Sequence, residues 1–454
     1  MIPPATDHPQ PVTDPEALAA LARVGQAEDL TRRVGACEHP IVMRGRSLLV
    51  DPATGQILHR PDATTVGMRC RNRRATVCVA CSTLYKFDAY HLVAAGLRGG
   101  KDTPETVAQH PRLFITLTAP SFGAVHIGPD HTGTPRLCHP GTTTRPAACG
   151  RWHAPGDPDI GTPLDAQSYD YAGQVLFSAH AGVLWSKTTT AVRRAFADQC
   201  GIPIRHAAKR VRVVFAKVAE FQTRGVVHYH ALVRVDGPDG PGSPPPGWAS
   251  SDRLTEAIRH AATTVAVATP AAPTSPARML RWGVQIDIQP LPAAGSNRPD
   301  DPDARREASV ARYLAKYATK AAETVGVTIA PIYCRTCSGI GARAGGLCHA
   351  CHGTGRRPGV DLGTLSPHAR ALVDACWRLG GRPEYRHLRL RRWAHQLGYR
   401  GHYTTKSHTF STTFAALRQE RRAHAEAGLV DRVGGEPGVP VLVVGDWSYH
   451  GPAV

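Results

Sequence analysis

Leu113, Ile115 and Leu117 alternate with Phe114, Thr116 and Thr118 until Pro120 ends the run, a period of two that predicts a half-buried strand. The same period recurs from Arg212 to Gln222 and from Val226 to Val235, joined by Thr223-Arg224-Gly225 as a hairpin turn. Gly283 to Ile288 is a further candidate strand. Helical spacing runs through Leu84, Phe87, His91, Leu92 and Ala95, over Tyr169 to Ala197, over Arg253 to Val267 and around Val310 to Lys320. Ser366 before Pro367 marks an N-cap with proline at the first helical position, opening a helix through Ala371, Leu372, Ala375 and Trp377. A second helix, Arg386 to Leu397, is stopped by Gly398. Strands with long helices between them predict an α+β sheet domain over roughly 110–330, interrupted by a Gly, Pro and His-rich insertion from His126 to Leu164.

Charge narrows the partner. Lys and Arg number 54 against 36 Asp and Glu, a formal charge of +18, which points to a polyanion. No run approaches the roughly 18 apolar residues of a membrane span, and the start has no signal-peptide pattern, so nucleic acid is preferred to a membrane and a cytoplasmic location is expected.

Two constellations carry chemistry. His228 and His230 lie two apart in a strand pattern, so both point to one face with Cα atoms about 6.7 Å apart. Glu220, across the turn, reaches the same face as a third ligand for a hard or borderline divalent cation, with Gln222 competing on the same parity. Farther along, a helix puts Tyr313, Lys316, Tyr317 and Lys320 within an arc of about 100°, opposite Ala311, Leu314, Ala315 and Ala318. Cations and a metal beside those phenols are expected to favour phenolate, the form that attacks phosphorus.

Eight of the 12 cysteines fall into close spacings that suit metal better than a disulfide scaffold. Cys334, Cys337, Cys348 and Cys351 lie in two copies of C-x-x-C-x-G-x-G, a closed structural zinc site. The repeat resembles the cysteine-rich modules of DnaJ-type chaperones, although no J-domain pattern accompanies it. Cys78 and Cys81 form another knuckle, with Cys70 and Cys37 as remaining ligands and His39 as a substitute for one. Two zinc ions are therefore expected. Arg71, Arg73 and Arg74, on the Cys70 knuckle, are candidate phosphate contacts, as are Lys320, Arg391, Arg392 and Lys406. Cys138, Cys149 and His153 read as remnants of a third site, and Cys200 and Cys376 as small buried hydrophobes.

Thr116-Leu117-Thr118, His228-Tyr229-His230 and Tyr313-Leu314-Ala315-Lys316-Tyr317 occur in the order of the three motifs of rolling-circle initiators, so the chain resembles an HUH endonuclease. More narrowly, from about Cys37 to Arg418, it resembles the RepSA-like initiators of actinobacterial plasmids and integrative elements. Particular to that likeness are Cys70 to Cys81 followed by Tyr85 and Tyr90, Glu220 to His230, Tyr313 to Lys320, Trp393-Ala394-His395 and Thr405-Lys406-Ser407. Members often carry a C-x-x-C where this chain has Asp165-Ala-Gln-Ser168. The paired tyrosines also resemble the A protein of isometric single-stranded DNA phages.

The resemblance implies an HUH endonuclease-type central antiparallel sheet with flanking helices, small four-cysteine zinc modules and a helical C-terminal appendage. It implies nicking of one strand at a plasmid origin, single-stranded or in a hairpin, leaving a 5′-phosphotyrosine and a free 3′-hydroxyl. Mg²⁺ or Mn²⁺ would sit on Glu220, His228 and His230, with Tyr313 as first nucleophile, Tyr317 as second and Lys316 steadying the phosphate or phenolate. A phosphate-loop motif is absent, so a host helicase and DNA polymerase are implied partners. HUH transposases and relaxases share these motifs, and a zinc-dependent DNA-binding regulator without nuclease activity would share the charge and cysteines. The expected organisation is a mobile leader over 1–36 with one short helix from Pro15 to Val24, a zinc knuckle and helix over 37–110, the nicking domain over 111–330, the double zinc module over 331–358, the helical DNA-binding appendage over 359–420 and a tail over 421–454.

Overall fold

A computed structural model describes residues 34–50, 54–59, 62–130, 132–142, 148–271, 276–292, 301–421, 423 and 442–452. The leader helix expected from Pro15 to Val24 lies outside them. The chain divides into two compact units, Lys86–Arg418 and a second made of Met1–Tyr85 with Gln419–Val454.

The larger unit is built on a five-stranded antiparallel sheet. Its strands are β1 (Arg112–Leu117), β2 (Arg212–Phe221), β3 (Val227–Asp236), β4 (Ile286–Pro290) and β5 (Thr404–Lys406), in the order β5-β2-β3-β1-β4. The β2–β3 hairpin closes where the Gln222 N–H donates to Val226 O at 2.9 Å and the Gly225 N–H to Gln222 O at 2.8 Å. Gly225 has φ +76°, a left-handed conformation that a side chain would strain, and Leu372 and Leu397 already crowd the place of its Cβ at 2.9 and 3.0 Å.

Alternation assigns the two faces. Leu113, Ile115, Leu117, Ala219, Phe221, Tyr229, Ala231 and Val233 turn to one side and bury in the main core. Helices α1 (Tyr171–Gln199), α2 (Ser251–Thr264) and α4 (Pro367–Leu379) supply Phe177, Leu184, Leu254, Ile258 and Leu372 to the same core. Thr116, Glu220, His228 and His230 turn to the other side, where α3 (Pro302–Ala318) lies against them through Tyr313.

The strands and helices expected over 110–330 are present with ends shifted by a few residues, except that the helix expected around Val310 to Lys320 already begins at Pro302. Two departures lie farther along the chain. The helix expected from Arg386 to Leu397 is two 3₁₀ segments, Pro383–Leu388 and Leu390–Gln396, separated by Arg389 at φ +51°. The segment expected to be a helical appendage over 359–420 also contains a strand of the central sheet, since Thr404, Thr405 and Lys406 pair with Val218, Lys217 and Ala216. Three residues are too few for a period to show, and the partner strand lies far upstream.

The smaller unit holds a sheet that was not expected. Ile41–Val50 pairs antiparallel with Leu442–Pro452 along its length, and with Thr64–Met68 and Ile57–His59. Part of the expected tail is therefore a strand.

Candidate functional site

The hairpin register places Glu220 directly opposite His228, and Val218 opposite His230. Three ligand atoms converge: Glu220 Oε2 lies 3.2 Å from His228 Nε2 and 3.0 Å from His230 Nε2, and the two Nε2 atoms are 3.2 Å apart. The neighbouring strand holds the second histidine, with Thr116 opposite His230 and its Oγ1 3.0 Å from His230 Nδ1. Phe114 stacks beside that ring at 5.9 Å. Gln222, the competing third ligand, instead accepts a hydrogen bond from Arg224 Nε at 2.9 Å.

The electrostatics suit a cation. Burial pushes the Glu220 carboxyl up, but hydrogen bonds and charge interactions with His228 and His230 prevail and bring its pKa down to about 2. Burial, outweighing the neighbouring carboxylate, lowers His230 and favours the neutral, ligating form. Two imidazole nitrogens and an ionised oxygen within about 3 Å make a compact donor set of the kind that holds a divalent metal. A Nδ1–H bond from His230 to Thr116 would leave Nε2 its lone pair, the arrangement common to metal-binding histidines.

Helix α3 delivers the phenols. Asp301 caps it, accepting from Asp303 N at 2.9 Å and Ala304 N at 3.4 Å, and Pro302 occupies its first turn. Glu307, Ala311, Leu314, Ala315 and Ala318 form its buried face. Tyr313 Oη thereby reaches 3.1 Å from His230 Nε2. Tyr317 lies one turn on, its ring 4.6 Å from that of Tyr313 and 6.1 Å from that of His230. Lys316 and Lys320 approach the Tyr317 ring at 5.5 and 4.8 Å. Burial first, and then the Glu220 charge, hold both Tyr313 and Tyr317 above the usual phenol range.

One buried ion pair, which the sequence did not announce, anchors α3. Arg112, at the start of β1, donates to Glu307 on the helix, and its guanidinium also reaches the carbonyls of Leu97, Leu291 at 3.4 Å and Pro292 at 2.9 Å. Glu307→Ala would leave Arg112 buried without its counter-charge, so we expect a loss of about 3–5 kcal/mol of stability. Chemical denaturation measures it, and a loss under about 1 kcal/mol would show that the pair does not anchor the helix.

Tetrahedral zinc, with bonds of about 2.3 Å to sulfur and about 2.05 Å to nitrogen, sets its ligand atoms about 3.8 Å apart for two sulfurs, 3.5 Å for sulfur and nitrogen and 3.3 Å for two nitrogens. Cys334 and Cys348 have sulfurs 3.9 Å apart, and Cys337 and Cys351 3.7 Å. Gly341 and Gly355 donate N–H bonds to the Cys337 and Cys351 sulfurs at 3.2 Å. The two knuckles meet glycine to glycine: a Cβ on Gly341 would lie 2.2 Å from Gly353 O, and one on Gly355 2.4 Å from Gly339 O. In the smaller unit, Cys78 and Cys81 lie 3.9 and 3.6 Å from the Cys37 sulfur, which also accepts from Cys70 N at 3.3 Å. Both sets fit the ion. His39 is exposed and stands outside the Cys37 set. Cys376 is fully buried as expected, whereas Cys200 is half-buried.

Arg71 is exposed, and Arg73 and Arg74 are half-buried beside Cys70. The others expected to meet DNA divide. Arg392 lies 5.9 Å from the rings of Tyr333 and Trp393. Arg391 donates to Trp377 O at 3.2 Å and Gly339 O at 2.8 Å, tying the cysteine module to α4. Lys406 donates to the carbonyls of Ser407, His408 and Ser411 at 3.2, 2.9 and 2.9 Å. These last two are internal braces of the fold. Among the described residues no helix is long and apolar enough to cross a membrane.

Likeness to known proteins extends over nearly the whole chain. The family described as "Replication initiator protein, pSAM2" (RepSA) matches residues 23–454. A protein of Streptomyces ambofaciens described as "Replication initiator protein" is 44% identical over 464 residues, covering 98% of this chain and 91% of its own. No solved structure matches.

Proposed function

Since the chain belongs to the RepSA family of replication initiator proteins, we propose that it starts rolling-circle replication by nicking one strand of its origin, through an HUH-type site in which a tyrosine is the nucleophile. The observation that carries this reading is the Tyr313 hydroxyl 3.1 Å from His230 Nε2, at the point where Glu220, His228 and His230 converge.

Tyr313 Oη attacks the scissile phosphorus, the P–O3′ bond breaks, the phenol proton is lost and the departing 3′ oxygen gains one. The products are a 5′-phosphotyrosine and a 3′-hydroxyl primer. Glu220, His228 and His230 would hold Mg²⁺ or Mn²⁺, which would supply Lewis-acid polarisation of the phosphate and positive charge beside the phenol. Thr116 holds the His230 ring, and Phe114 backs it. Lys316 and Lys320 offer positive charge where the phosphate would lie, and Arg71, Arg73 and Arg74 offer it beside the Cys70 knuckle. Origin DNA presented single-stranded or as a hairpin, a host helicase and a DNA polymerase complete the reaction.

The test is a covalent one. Protein incubated with Mn²⁺ and a single-stranded origin oligonucleotide should yield an SDS-resistant adduct whose peptide mass places the nucleotide on Tyr313. Nicking without any adduct would rule out the tyrosine mechanism.

One zinc ion at each four-cysteine set is part of the same proposal. Cys334→Ser should lower bound zinc by one ion per chain and make residues 331–358 protease-sensitive, because the metal stabilises only the folded module. Unchanged metal content, by mass spectrometry of the metal, would remove the zinc from that site.

A further inference from the structure

The insertion between β1 and α1 contains a cluster that neither the nicking chemistry nor the two four-cysteine sets use. Cys138 is fully buried and His153 nearly so, while His126 and Cys149 are half-buried. His126 Nδ1 lies 3.7 Å from Cys138 Sγ, His153 Nε2 lies 3.5 Å from Cys149 Sγ, and the two ring nitrogens are 3.2 Å apart. All four ligand atoms lie within 4.8 Å of one another.

We propose that His126, Cys138, Cys149 and His153 hold a third structural zinc ion, in a closed site of two thiolates and two imidazoles. Tetrahedral geometry requires about 3.5 Å for each sulfur–nitrogen edge and about 3.3 Å for the nitrogen–nitrogen edge, close to the separations seen. The surroundings are those of a metal site. Ile127 donates its N–H to the Cys138 sulfur at 3.4 Å, as the glycines do in the double C-x-x-C module. The far nitrogen of His153 meets Asp157 Oδ2 at 2.8 Å, and Asp157 is itself fixed by the Asp159 N–H at 2.9 Å. A carboxylate on the distal nitrogen orients a ligating histidine and raises its basicity. A disulfide between Cys138 and Cys149 is the competing use of these thiols, but both are free, and a disulfide would leave two imidazoles converging on nothing.

The site has a mechanical use. Cys138 N donates to Arg151 O at 2.9 Å and Gly150 N to Cys138 O at 2.8 Å, so the ligand-bearing segments already run side by side. His126 exchanges backbone bonds with Gly161 and Thr162 at 2.9 Å each. Gly161 in turn approaches the β2–β3 turn so closely that a Cβ there would lie 2.6 Å from the Thr223 carbonyl carbon. The ion would tie the insertion into one body behind the hairpin that bears Glu220 and His228.

Metal mass spectrometry on full-length protein purified without chelators tests this independently of nicking. Wild-type protein should carry three zinc ions per chain, and Cys138→Ser/Cys149→Ser two. His126→Cys, which keeps a ligand in place, should retain three. Asp157→Asn leaves all four ligands and serves if the double variant does not fold: one third of its zinc should pass to a colorimetric chelator about 10–100 times faster than from wild type. Wild-type protein holding two zinc ions, with release kinetics that Asp157→Asn leaves unchanged, would overturn the assignment. So would a Cys138–Cys149 disulfide in the freshly purified, unreduced protein.

Discussion

His230→Ala should lower metal-dependent nicking of a supercoiled origin plasmid by about 10²–10³-fold while origin binding stays within about twofold. The estimate takes Lewis-acid assistance at about 3–4 kcal/mol, with each 1.36 kcal/mol worth a factor of ten. His230 is the centre of the site, joined to Glu220, His228, Thr116 and Tyr313. His228 touches only Glu220 and His230 among them and is more exposed, so His228→Ala should be the milder change. Binding should survive because neither ring contributes to the formal +18 that draws the protein to DNA. Glu220→Gln should move the Mn²⁺ midpoint of the cleavage titration to higher concentration. The pH dependence has a defined sign: Glu220 stays ionised down to about pH 2 and burial lowers His230, so a loss of activity on acidification would report protonation of that imidazole, at a pH below that of a free histidine. Full nicking by the His228→Ala/His230→Ala protein would end the metal-site assignment.

Glu220, His228 and His230 were legible because a strand has a strict period of two and a tight hairpin fixes which residues face each other. Two histidines at i and i+2 and a carboxylate eight residues upstream then have little freedom. The four-cysteine sets were legible for a similar reason, since C-x-x-C is a local geometry. What escaped depends on chain segments far apart. Thr405 and Lys406 form an edge strand only because Lys217 and Ala216 offer a partner, and Ile41–Val50 needs Leu442–Pro452, almost the whole chain away. Arg112 and Glu307 reveal nothing of their pairing in sequence. His126 escaped because it enters its cluster from twelve residues before Cys138, with no C-x-x-C to mark the place. Lys406 and Arg391 were read by charge alone, whereas burial decides that their donors serve carbonyls.

Tyr313→Phe should reduce initial cleavage by about 10³-fold or more, and Tyr317→Phe should leave cleavage within several-fold of wild type while impairing strand joining and release of circles. The difference follows from position. Tyr313 Oη is within hydrogen-bond distance of His230, whereas Tyr317 stacks 6.1 Å from that ring and faces Glu220, with Lys316 and Lys320 beside its own ring. After the first attack Tyr313 is esterified and cannot attack again, so ending a round needs another acceptor. A second phenol one helical turn away, with its ring 4.6 Å from the first, can take the same phosphate site once the helix shifts slightly. Both phenols are held protonated by burial and by Glu220, so the cleavage rate should rise as pH increases from 6 to 9 when metal is saturating. A flat profile would mean that loss of the phenol proton does not limit cleavage over that range. Adduct mapping on the single and double phenylalanine proteins decides the order. A nucleotide found on Tyr317 alone would reverse it, and normal joining in Tyr317→Phe would leave that residue a packing partner of Tyr313.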